Sequence, residues 1–476
     1  MNELILKDKQ QTALDAMTEF GLHRTVNGIK KHFLVLKGYA GTGKTFTVNL
    51  AAKALGSKVV GMTAPTHKAV KVMKKNAMKS ETDHLFNFST IHSLLGLTPK
   101  IQKDGSRKYL RDKKRDVKSL KIHEIEVLFI DEASMINVSL INQLFEYYKE
   151  FRQNKPLQLI FLGDPCQIPP VKELLSIVFD DVFLNRYQAH VMELTEIVRQ
   201  KEGNTILDYA TSIRQNLTTQ VHSRPDIQHT ESESGLCTLP EANLDEILRK
   251  LFTNPAYDED PDLAKVLCWR NKTVKHYNDK IRSMRLGIDN PAKIVVGDLL
   301  VCDQPVILDS IVGPQIVYHT SDELTVLAVT ENSMEYTYDR YIKNAGGNNV
   351  PTPVTETLKT YNATVVAKNL DGSKEEHVIT IIHEDSELKF TTIEQELANG
   401  AKLTGWGRLW GKFFSFREGF AHVSYNYAIT SHKSQGSTYR DTIMVETDIN
   451  ANPKVEERNR IKYVATTRAS NKLYIV

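Results

Sequence analysis

One short run, Gly38 to Thr45, constrains this chain more than any other part of its sequence. It has the spacing G-x-x-x-x-G-K-[ST], it follows the apolar stretch 33–36, and it opens into a helical pattern over 45–55. In this context backbone N–H groups converge at the N-terminus of a helix, where the helix dipole adds positive charge. The run therefore predicts a phosphate-binding loop. The alternative is a glycine-rich turn that binds nothing.

The residue types in this loop suit a nucleotide and its metal ion. Glycines let the backbone approach phosphate oxygens, Lys44 supplies a positive charge, and the hydroxyl of Thr45 suits Mg²⁺. The candidate nucleotide-binding residues of the loop are Gly38, Gly41, Thr42, Gly43, Lys44 and Thr45.

Two later strand-like runs also end in polar residues. The apolar run 127–130 is followed by Asp131 and Glu132, which predicts one carboxylate for Mg²⁺ and one that polarises the attacking water. A simple cap at the end of the strand is the alternative. The run 157–162 leads to Gln167, and because ligands of open α/β sheets gather at the carboxyl ends of strands, Gln167 is placed to sense the γ-phosphate.

The pattern of apolar runs predicts two α/β cores, each with an insertion. Strands and helices alternate over 33–199, which indicates a doubly wound parallel sheet, and the alternation resumes at 263 and again near 423. A basic stretch, 100–121, carries ten Lys or Arg and three Asp and predicts an inserted β-hairpin. The β-branched segment 294–390 predicts a small inserted β-barrel or sandwich.

Bulk properties narrow the class of protein. The formal net charge is only +3, so the local basic stretch says more about partners than the total does. The four cysteines are too far apart in sequence to supply paired zinc or iron–sulfur ligands. We find no apolar run long enough to cross a bilayer and no signal-peptide core, which predicts a cytoplasmic protein that does not bind membranes.

Five further segments complete an ordered set of motifs: 63–69, 89–95, 193–200, 430–436 and 463–469. With them the chain resembles the superfamily 1 helicases, and among these the 5′-to-3′ branch of the RecD and phage Dda type. The resemblance is fair over 10–200, 263–302 and 405–476 and weak over 218–262 and 303–400. It implies two RecA-like domains, at 1–98 with 120–199 and at 200–290 with 421–476. It also implies an inserted hairpin at 99–119 and an inserted β-rich domain at 291–420.

The resemblance also implies roles for residues around the nucleotide. Gln10 matches the glutamine that contacts adenine, although the adjacent Gln11 is an alternative, and Gly436 matches a further nucleotide-binding position. Lys44 would contact phosphate, Thr45 and Asp131 would hold magnesium, and Glu132 would be the catalytic base. Gln167 would couple the site to the rest of the motor. Arg199 and Arg468 would approach the γ-phosphate from opposite sides.

The same resemblance implies a track for a nucleic-acid strand. Its candidate contacts are Thr63, Pro65, Thr66, His67, Lys68, Thr90, His92, Pro99, Tyr109, Ser431, His432 and Lys433. The basic hairpin resembles the pin that meets a duplex fork in this branch, with Tyr109 as a stacking side chain. For the histidines, capping or packing is the alternative, and for the charge run the alternative is a solvated face.

These observations predict an ATP- and Mg²⁺-dependent enzyme that moves 5′ to 3′ on single-stranded DNA and separates duplexes during replication, recombination or repair. The direction of translocation rests on the resemblance alone. The expected location, a bacterial or phage-infected host cytoplasm, also rests on the resemblance. Expected partners are single-stranded DNA, the duplex fork, and replication or repair proteins bound through the inserted β domain, with the chain a monomer. One alternative is a nucleic-acid-stimulated ATPase that remodels protein–DNA complexes or acts on RNA. Another is a P-loop switch module without catalysis.

Overall fold

The computed structural model describes residues 6–112, 116, 119–151, 157–196, 205–219, 234–310, 313–345, 347–368, 370, 372–404 and 407–476. By its internal contacts the chain forms two compact units. Unit 1 comprises 1–96, 113–277 and 427–476, and unit 2 comprises 97–112 and 278–426. Both predicted α/β cores therefore belong to unit 1. The division into four domains that the motifs imply stays a prediction.

The helices and strands follow one another along the chain. The helices are α1 (Asp8–His23), α2 (Lys44–Ala54), α3 (His67–Lys79), α4 (Ile91–Leu94), α5 (Val138–Phe151), α6 (Asp181–Arg186), α7 (Thr205–Gln215), α8 (Glu241–Phe252), α9 (Ala256–Glu259), α10 (Asn271–Leu286), α11 (Glu387–Thr404), α12 (Gly407–Glu418), α13 (Glu446–Asn450) and α14 (Val455–Thr467). The strands are β1 (Thr25–Val26), β2 (Ile29–Lys30), β3 (Phe33–Gly38), β4 (Val60–Ala64), β5 (Phe86–Thr90), β6 (Leu97–Ile101), β7 (Arg107–Arg111), β8 (Val127–Ile130), β9 (Gln158–Gly163), β10 (His190–Leu194), β11 (Gly235–Thr238), β12 (Ala264–Cys268), β13 (Leu299–Cys302), β14 (Val306–Ser310), β15 (Gly313–Tyr318), β16 (Glu323–Lys343), β17 (Asn349–Lys368), β18 (Lys374–Ile382), β19 (Val423–Tyr425), β20 (Ala428–Thr430), β21 (Tyr439–Met444) and β22 (Ala469–Ile475).

The first sheet of unit 1 is parallel throughout and has the strand order β10-β3-β9-β8-β4-β5. Its central strands read as continuous apolar runs because helices cover both faces of such a sheet. Phe33 pairs with Leu159 and Leu128 pairs with Leu159 on its other side, so β9 lies between β3 and β8. This order brings the ends of the three motif-bearing strands together.

The second sheet of unit 1 is also parallel and has the order β11-β22-β21-β12-β20. The predicted α/β class with two parallel sheets is thus confirmed. Where the alternation resumes near 423, the apolar pattern over 422–428 predicts one strand, but the structure has two strands in different sheets. β19 pairs with β13 in unit 2, and β20 pairs with β12 in unit 1.

Unit 2 is built on an antiparallel sheet of order β18-β17-β16-β13-β19. Among the described residues its strand order is open, whereas the strand-rich sequence predicted a small β-barrel or sandwich. A physical reason is visible in the long β16–β17 pair, whose apolar face is covered by α11 and α12. The cluster that joins them contains Tyr338, Leu358, Ile382, Phe390, Ile393, Leu397, Phe416 and Phe420. Helices that cover the sheet make closure unnecessary.

Residues 97–112 form the predicted basic hairpin, with β6 antiparallel to β7. This hairpin belongs to unit 2 although its sequence lies within the first α/β core. Among the residues that the structure describes, no helix is both long and apolar enough to cross a bilayer.

Candidate nucleotide site and nucleic-acid contacts

Three loops meet at the carboxyl edge of the first sheet because β3, β9 and β8 are neighbours. The loop after β3 is the glycine-rich run that ends at the N-terminus of α2. The loop after β8 carries Asp131 and Glu132, and the loop after β9 carries Asp164 and Gln167. The three loops that carry these predicted residues therefore lie together at one edge of the sheet.

The glycine-rich loop has the backbone that its sequence requires. Gly41 and Gly43 have φ angles of 78° and 81°, a region that L side chains rarely adopt. The ammonium group of Lys44 donates to the carbonyl of Gly38, and it lies 3.4 Å from the carbonyl oxygen of Tyr39. Lys44 is thus folded back over its own loop, where a phosphate group would compete for it.

Of the two adjacent glutamines, it is Gln10 that lies against this loop. Its side chain is 3% exposed, and its amide nitrogen donates to the carbonyl of Thr42 at 3.1 Å. Its amide oxygen accepts from the backbone N–H of Lys7 at 3.2 Å. Gln11 is exposed and bonds Asp15 at 2.8 Å. The placement favours Gln10 over Gln11, and its contact with adenine stays a prediction.

Three carboxylates surround Lys44, and burial is the main reason that their pKa values rise. Burial raises the pKa of Asp131 and of Asp164, and the charge of Lys44 opposes both shifts. Burial and then the charge of Asp131 raise the pKa of Glu132 to about 7, against Arg468 and Lys44. Asp131 and Thr45 offer a carboxylate and a hydroxyl oxygen, and oxygen ligands are those that Mg²⁺ prefers. The donor set therefore fits a magnesium ion bound with the nucleotide.

The second sheet contributes to the same place. The guanidinium of Arg468 is buried, its charge lowers the pKa of Glu132, and one of its nitrogens donates to the carbonyl of Ser437 at 2.9 Å. A Cβ atom added to Gly436 would lie 3.6 Å from a carboxylate oxygen of Glu132 and 3.2 Å from the Cβ of Ala69. The structure thus brings Gly436 to Glu132, and the charge of Arg468 acts on the same carboxylate. Arg199 lies outside the described residues.

Gln167 lies at this edge of the first sheet, and its side chain is buried there. The side chain is 7% exposed, and its Oε1 atom has no hydrogen-bond partner among the residues that the structure describes. A buried acceptor without a partner costs about 1 to 3 kcal/mol, so such an atom points to a ligand or water.

Asp164 and Tyr463 lie at the site, although no motif predicted an individual role for either of them. Asp164 accepts from the hydroxyl of Tyr463 at 2.6 Å and from the backbone N–H of Cys166 at 2.9 Å. The Tyr463 hydroxyl also lies 3.4 Å from the backbone nitrogen of Ala40 in the glycine-rich loop. One signal could have found Asp164, because it follows β9 directly, as Asp131 follows β8.

The predicted strand contacts have mixed surroundings. The hydroxyls of Thr66 and Thr90 cap α3 and α4, accepting from Ala69 and Ser93 at 3.2 Å each. Thr63 and Ser431 are fully buried, and the hydroxyl of Ser431 donates to the carbonyl of Cys268.

The remaining candidates for strand binding, which include the lysines and histidines, differ in how far they are exposed to solvent. Lys68 reaches the hydroxyl of Tyr439 at 3.2 Å, which links the two sheets of unit 1. Burial lowers the pKa of His92 and His432. The backbone N–H of Lys433 donates to the hydroxyl of Thr430 at 3.2 Å, while Pro65 and His67 are half-buried. The strand-binding roles of these residues stay predictions.

The basic hairpin is fastened to α12 within unit 2. The Trp410 ring packs against Gly105, where φ is 81°, and its indole nitrogen donates to the carbonyl of Lys103 at 3.2 Å. The guanidinium of Arg107 lies 3.7 Å from the centre of the Phe414 ring and pairs with Glu418. Tyr109, opposite Pro99 in the hairpin, is 48% exposed. The hairpin thus has a fixed turn and an exposed aromatic side chain.

Comparisons with known proteins agree with this arrangement. Residues 8–231 match the model of an AAA domain family, and residues 425–476 match that of the UvrD-like helicase C-terminal domain. The ATP-dependent DNA helicase Dda of enterobacteria phage T4 is 26% identical, over 94% of this chain and 95% of that protein. An uncharacterised protein of Acanthamoeba polyphaga mimivirus is also 26% identical, over 98% of each.

Two further similarities are weaker. The ATP-dependent DNA helicase Pif1 of a Psychrobacter species is 29% identical over 34% of this chain and 22% of that protein. A solved structure of Pif1 helicases at forked double-stranded DNA covers 99% of this chain and 92% of its own, at 17% identity and a TM-score of 0.49. The two family matches and the full-length similarity to Dda together support a superfamily 1B helicase of the Dda, Pif1 and RecD type.

Proposed function

We propose that the chain moves 5′ to 3′ along single-stranded DNA and separates the duplex at a fork, with ATP hydrolysis by Lys44, Glu132, Gln167, Arg199 and Arg468. The observation that carries this proposal is the meeting of two sheets at one carboxylate. Glu132 follows β8 of the first sheet, whereas Gly436 and Arg468 precede β21 and β22 of the second sheet. Gly436 lies beside Glu132, and the charge of Arg468 acts on it. Hydrolysis at such a site depends on how the two sheets are placed, which is what couples chemistry to movement.

The chemistry divides among the residues by their charge and burial. Thr45 and Asp131 would hold Mg²⁺, which neutralises phosphate charge when bound. A buried carboxylate with a raised pKa is suited to accept a proton, which supports Glu132 as the base for the attacking water. Arginines that stabilise the transferring phosphoryl group are worth about a thousandfold or more in rate. The effect of the Arg468 charge on Glu132 supports this role for Arg468.

The nucleotide itself would lie along the glycine-rich loop. Backbone N–H groups of 38–43 and the ammonium of Lys44 would contact its phosphates, and Gln10 would contact adenine from the start of α1. Gly436 leaves room for the nucleotide because any side chain there would approach Ala69 and Glu132. Mg²⁺ dependence and these contacts belong to the proposal.

The strand would be bound at hydroxyl-rich and cationic segments of both sheets, around Thr66, Lys68, Thr90 and Lys433. The hairpin would meet the duplex, with Tyr109 stacking on the base pair at the fork. The fixed turn supports this role because a separating wedge has to resist the force of translocation. We further propose that the chain acts as a monomer and that unit 2 is where replication or repair proteins bind.

The test is the ATPase rate with and without single-stranded DNA, together with unwinding of duplexes that carry either a 5′ or a 3′ tail. We expect strong stimulation, unwinding of the 5′-tailed duplex only, and turnover near background for Lys44→Ala. Turnover that stays flat with DNA, or unwinding of the 3′-tailed duplex alone, would contradict the proposal. Stimulation by RNA but not DNA would favour the RNA-dependent alternative.

A further inference from the structure

The segment after β9, residues 164–168, is held by the second sheet of unit 1 although it begins on the first. We call this segment the coupling loop. Gln435 donates its amide N–H to the carbonyl of Ile168 at 3.0 Å, and Tyr463 donates to the side chain of Asp164. The Ile168 side chain is part of the apolar core of the second sheet, together with residues of α7 and α14, and Cys166 packs against the same core.

The most direct of these contacts comes from Arg460 on α14. Its side chain is 8% exposed, and one guanidinium nitrogen donates to two backbone carbonyls of the coupling loop, those of Pro165 at 2.6 Å and Gln167 at 3.0 Å. The remaining nitrogens donate to one carboxylate oxygen of Glu456, at 3.1 and 2.9 Å. Glu456 lies one helical turn earlier on α14, so it fixes the direction in which the guanidinium points.

The two carbonyls flank the position whose side chain is predicted to couple hydrolysis to movement. Binding both of them fixes the backbone on either side of Gln167, and the Oε1 atom of that side chain is the buried acceptor without a described partner. A lysine could not reproduce this contact, because a guanidinium presents several donors in a rigid plane and an ammonium does not.

The helix that carries Arg460 also ends at Arg468. The two residues are separated by about two turns of α14, and Tyr463 lies between them on the helix. If α14 shifts as a rigid element, Arg468 and the coupling loop therefore move at the same time.

We propose that Arg460, oriented by Glu456, is a positioning residue for Gln167, and that it transmits the placement of the second sheet to the coupling loop. This inference rests on the proposed function, because it concerns the step at which hydrolysis responds to DNA. Neither Arg460 nor Glu456 contacts the nucleotide in this scheme. Both act through the backbone of residues 165–167.

The experiment measures kcat and KM for ATP with saturating single-stranded DNA, and kcat without it, in full-length variants. For Arg460→Ala we expect kcat with DNA to fall about tenfold, the effect of one charge-assisted hydrogen bond, while KM changes less than about twofold. Glu456→Gln should give a smaller loss in the same direction, and Arg460→Lys should resemble Arg460→Ala. Arg458→Ala is the matched control, since two positions along α14 turn its side chain by about 200°.

A double variant separates positioning from a general loss of structure. If Arg460 acts through Gln167, Arg460→Ala in a Gln167→Ala background should cause little further loss of DNA-stimulated kcat. Multiplied losses in the double variant would overturn the inference, as would equal kcat values for Arg460→Ala and Arg458→Ala. If Arg460→Ala does not fold, Glu456→Gln and Arg460→Lys decide the matter by the same comparison. If the wild-type kcat is the same with and without single-stranded DNA, the proposed function itself is refuted.

Discussion

The two sheets of unit 1 meet at one site but present different kinds of side chain to it. The edge of the first sheet offers three carboxylates whose pKa values are raised by burial, together with the Oε1 atom of Gln167, which has no hydrogen-bond partner among the described residues. The edge of the second sheet offers Arg460, Arg468 and Tyr463, whose polar atoms are engaged with backbone carbonyls or with Asp164. The first edge is thus suited to bind and react, and the second to hold and orient, with Arg468 as the one residue of the second edge proposed to take part in the chemistry.

Arg468→Ala tests the second edge where it approaches the chemistry most closely. We expect the DNA-stimulated ATPase rate to fall by about a thousandfold, because an arginine that stabilises the transferring phosphoryl group is lost. Binding of a fluorescent ATP analogue should change far less. Arg440→Ala, an exposed arginine on β21 of the same sheet, is the control and should keep wild-type turnover. Equal rates for the two variants would mean that the second edge only orients.

Glu132→Gln tests the first edge. The amide has nearly the shape of the carboxylate but cannot accept the proton of the attacking water, so we expect a loss of about a hundredfold or more in kcat. Nucleotide affinity should hold or improve, because a buried negative charge near the phosphates disappears. Pre-steady-state measurement of phosphate release would locate the loss in the hydrolysis step. A variant with wild-type hydrolysis would show that another group serves as the base.

Tyr463→Phe tests the contact that joins the two edges directly. It leaves the buried carboxylate of Asp164 without its hydroxyl donor, and we expect about 1 to 3 kcal/mol of destabilisation in urea unfolding. The pKa of Asp164, already raised by burial, should rise further. Tyr427→Phe, a buried tyrosine in the same unit, is the reference for removing a hydroxyl. No difference between these two variants would contradict a role for the Asp164 contact.

Trp410→Ala tests unit 2, which is predicted to affect unwinding rather than the ATP hydrolysis that takes place at the two edges. Removing the ring that packs on Gly105 should loosen the hairpin, so we expect unwinding of a forked duplex to slow by a few-fold while the ATPase rate on single-stranded DNA is kept. Gel-based strand separation and ATPase assays on the same preparations measure both. A parallel loss of the two activities would argue that the hairpin does not act at the fork.

The sequence predicted the first edge well because its geometry is local. A strand, a glycine-rich loop and a helix N-terminus follow one another between Phe33 and Lys44, so nearby residues determine the shape. The second edge was harder to predict. Arg460 contacts Pro165, which lies 295 positions away in the sequence, and neither residue type predicts the other as its partner. Such contacts depend on how the sheets pack, which periodicity does not specify.

The errors outside the site have the same origin. The segment 422–428 contains one apolar pattern, but Tyr425 pairs with β13 and Ala428 with β12, a division that only tertiary pairing decides. In the region 218–262, where the resemblance is weak, β11 adds a strand beside β22 that no sequence pattern predicted. The open sheet of unit 2 depends on α11 and α12, whose covering role is visible only once they are packed.

The hairpin of residues 97–112 also has a consequence for how the protein is made. Its turn contacts Trp410, about 300 residues later in the chain, and both belong to unit 2. During synthesis from the N-terminus, the ribosome therefore releases the hairpin long before its support exists. A fragment that stops before 407 would carry the hairpin without that support, so this helicase cannot be dissected into an early half and a late half that each fold completely.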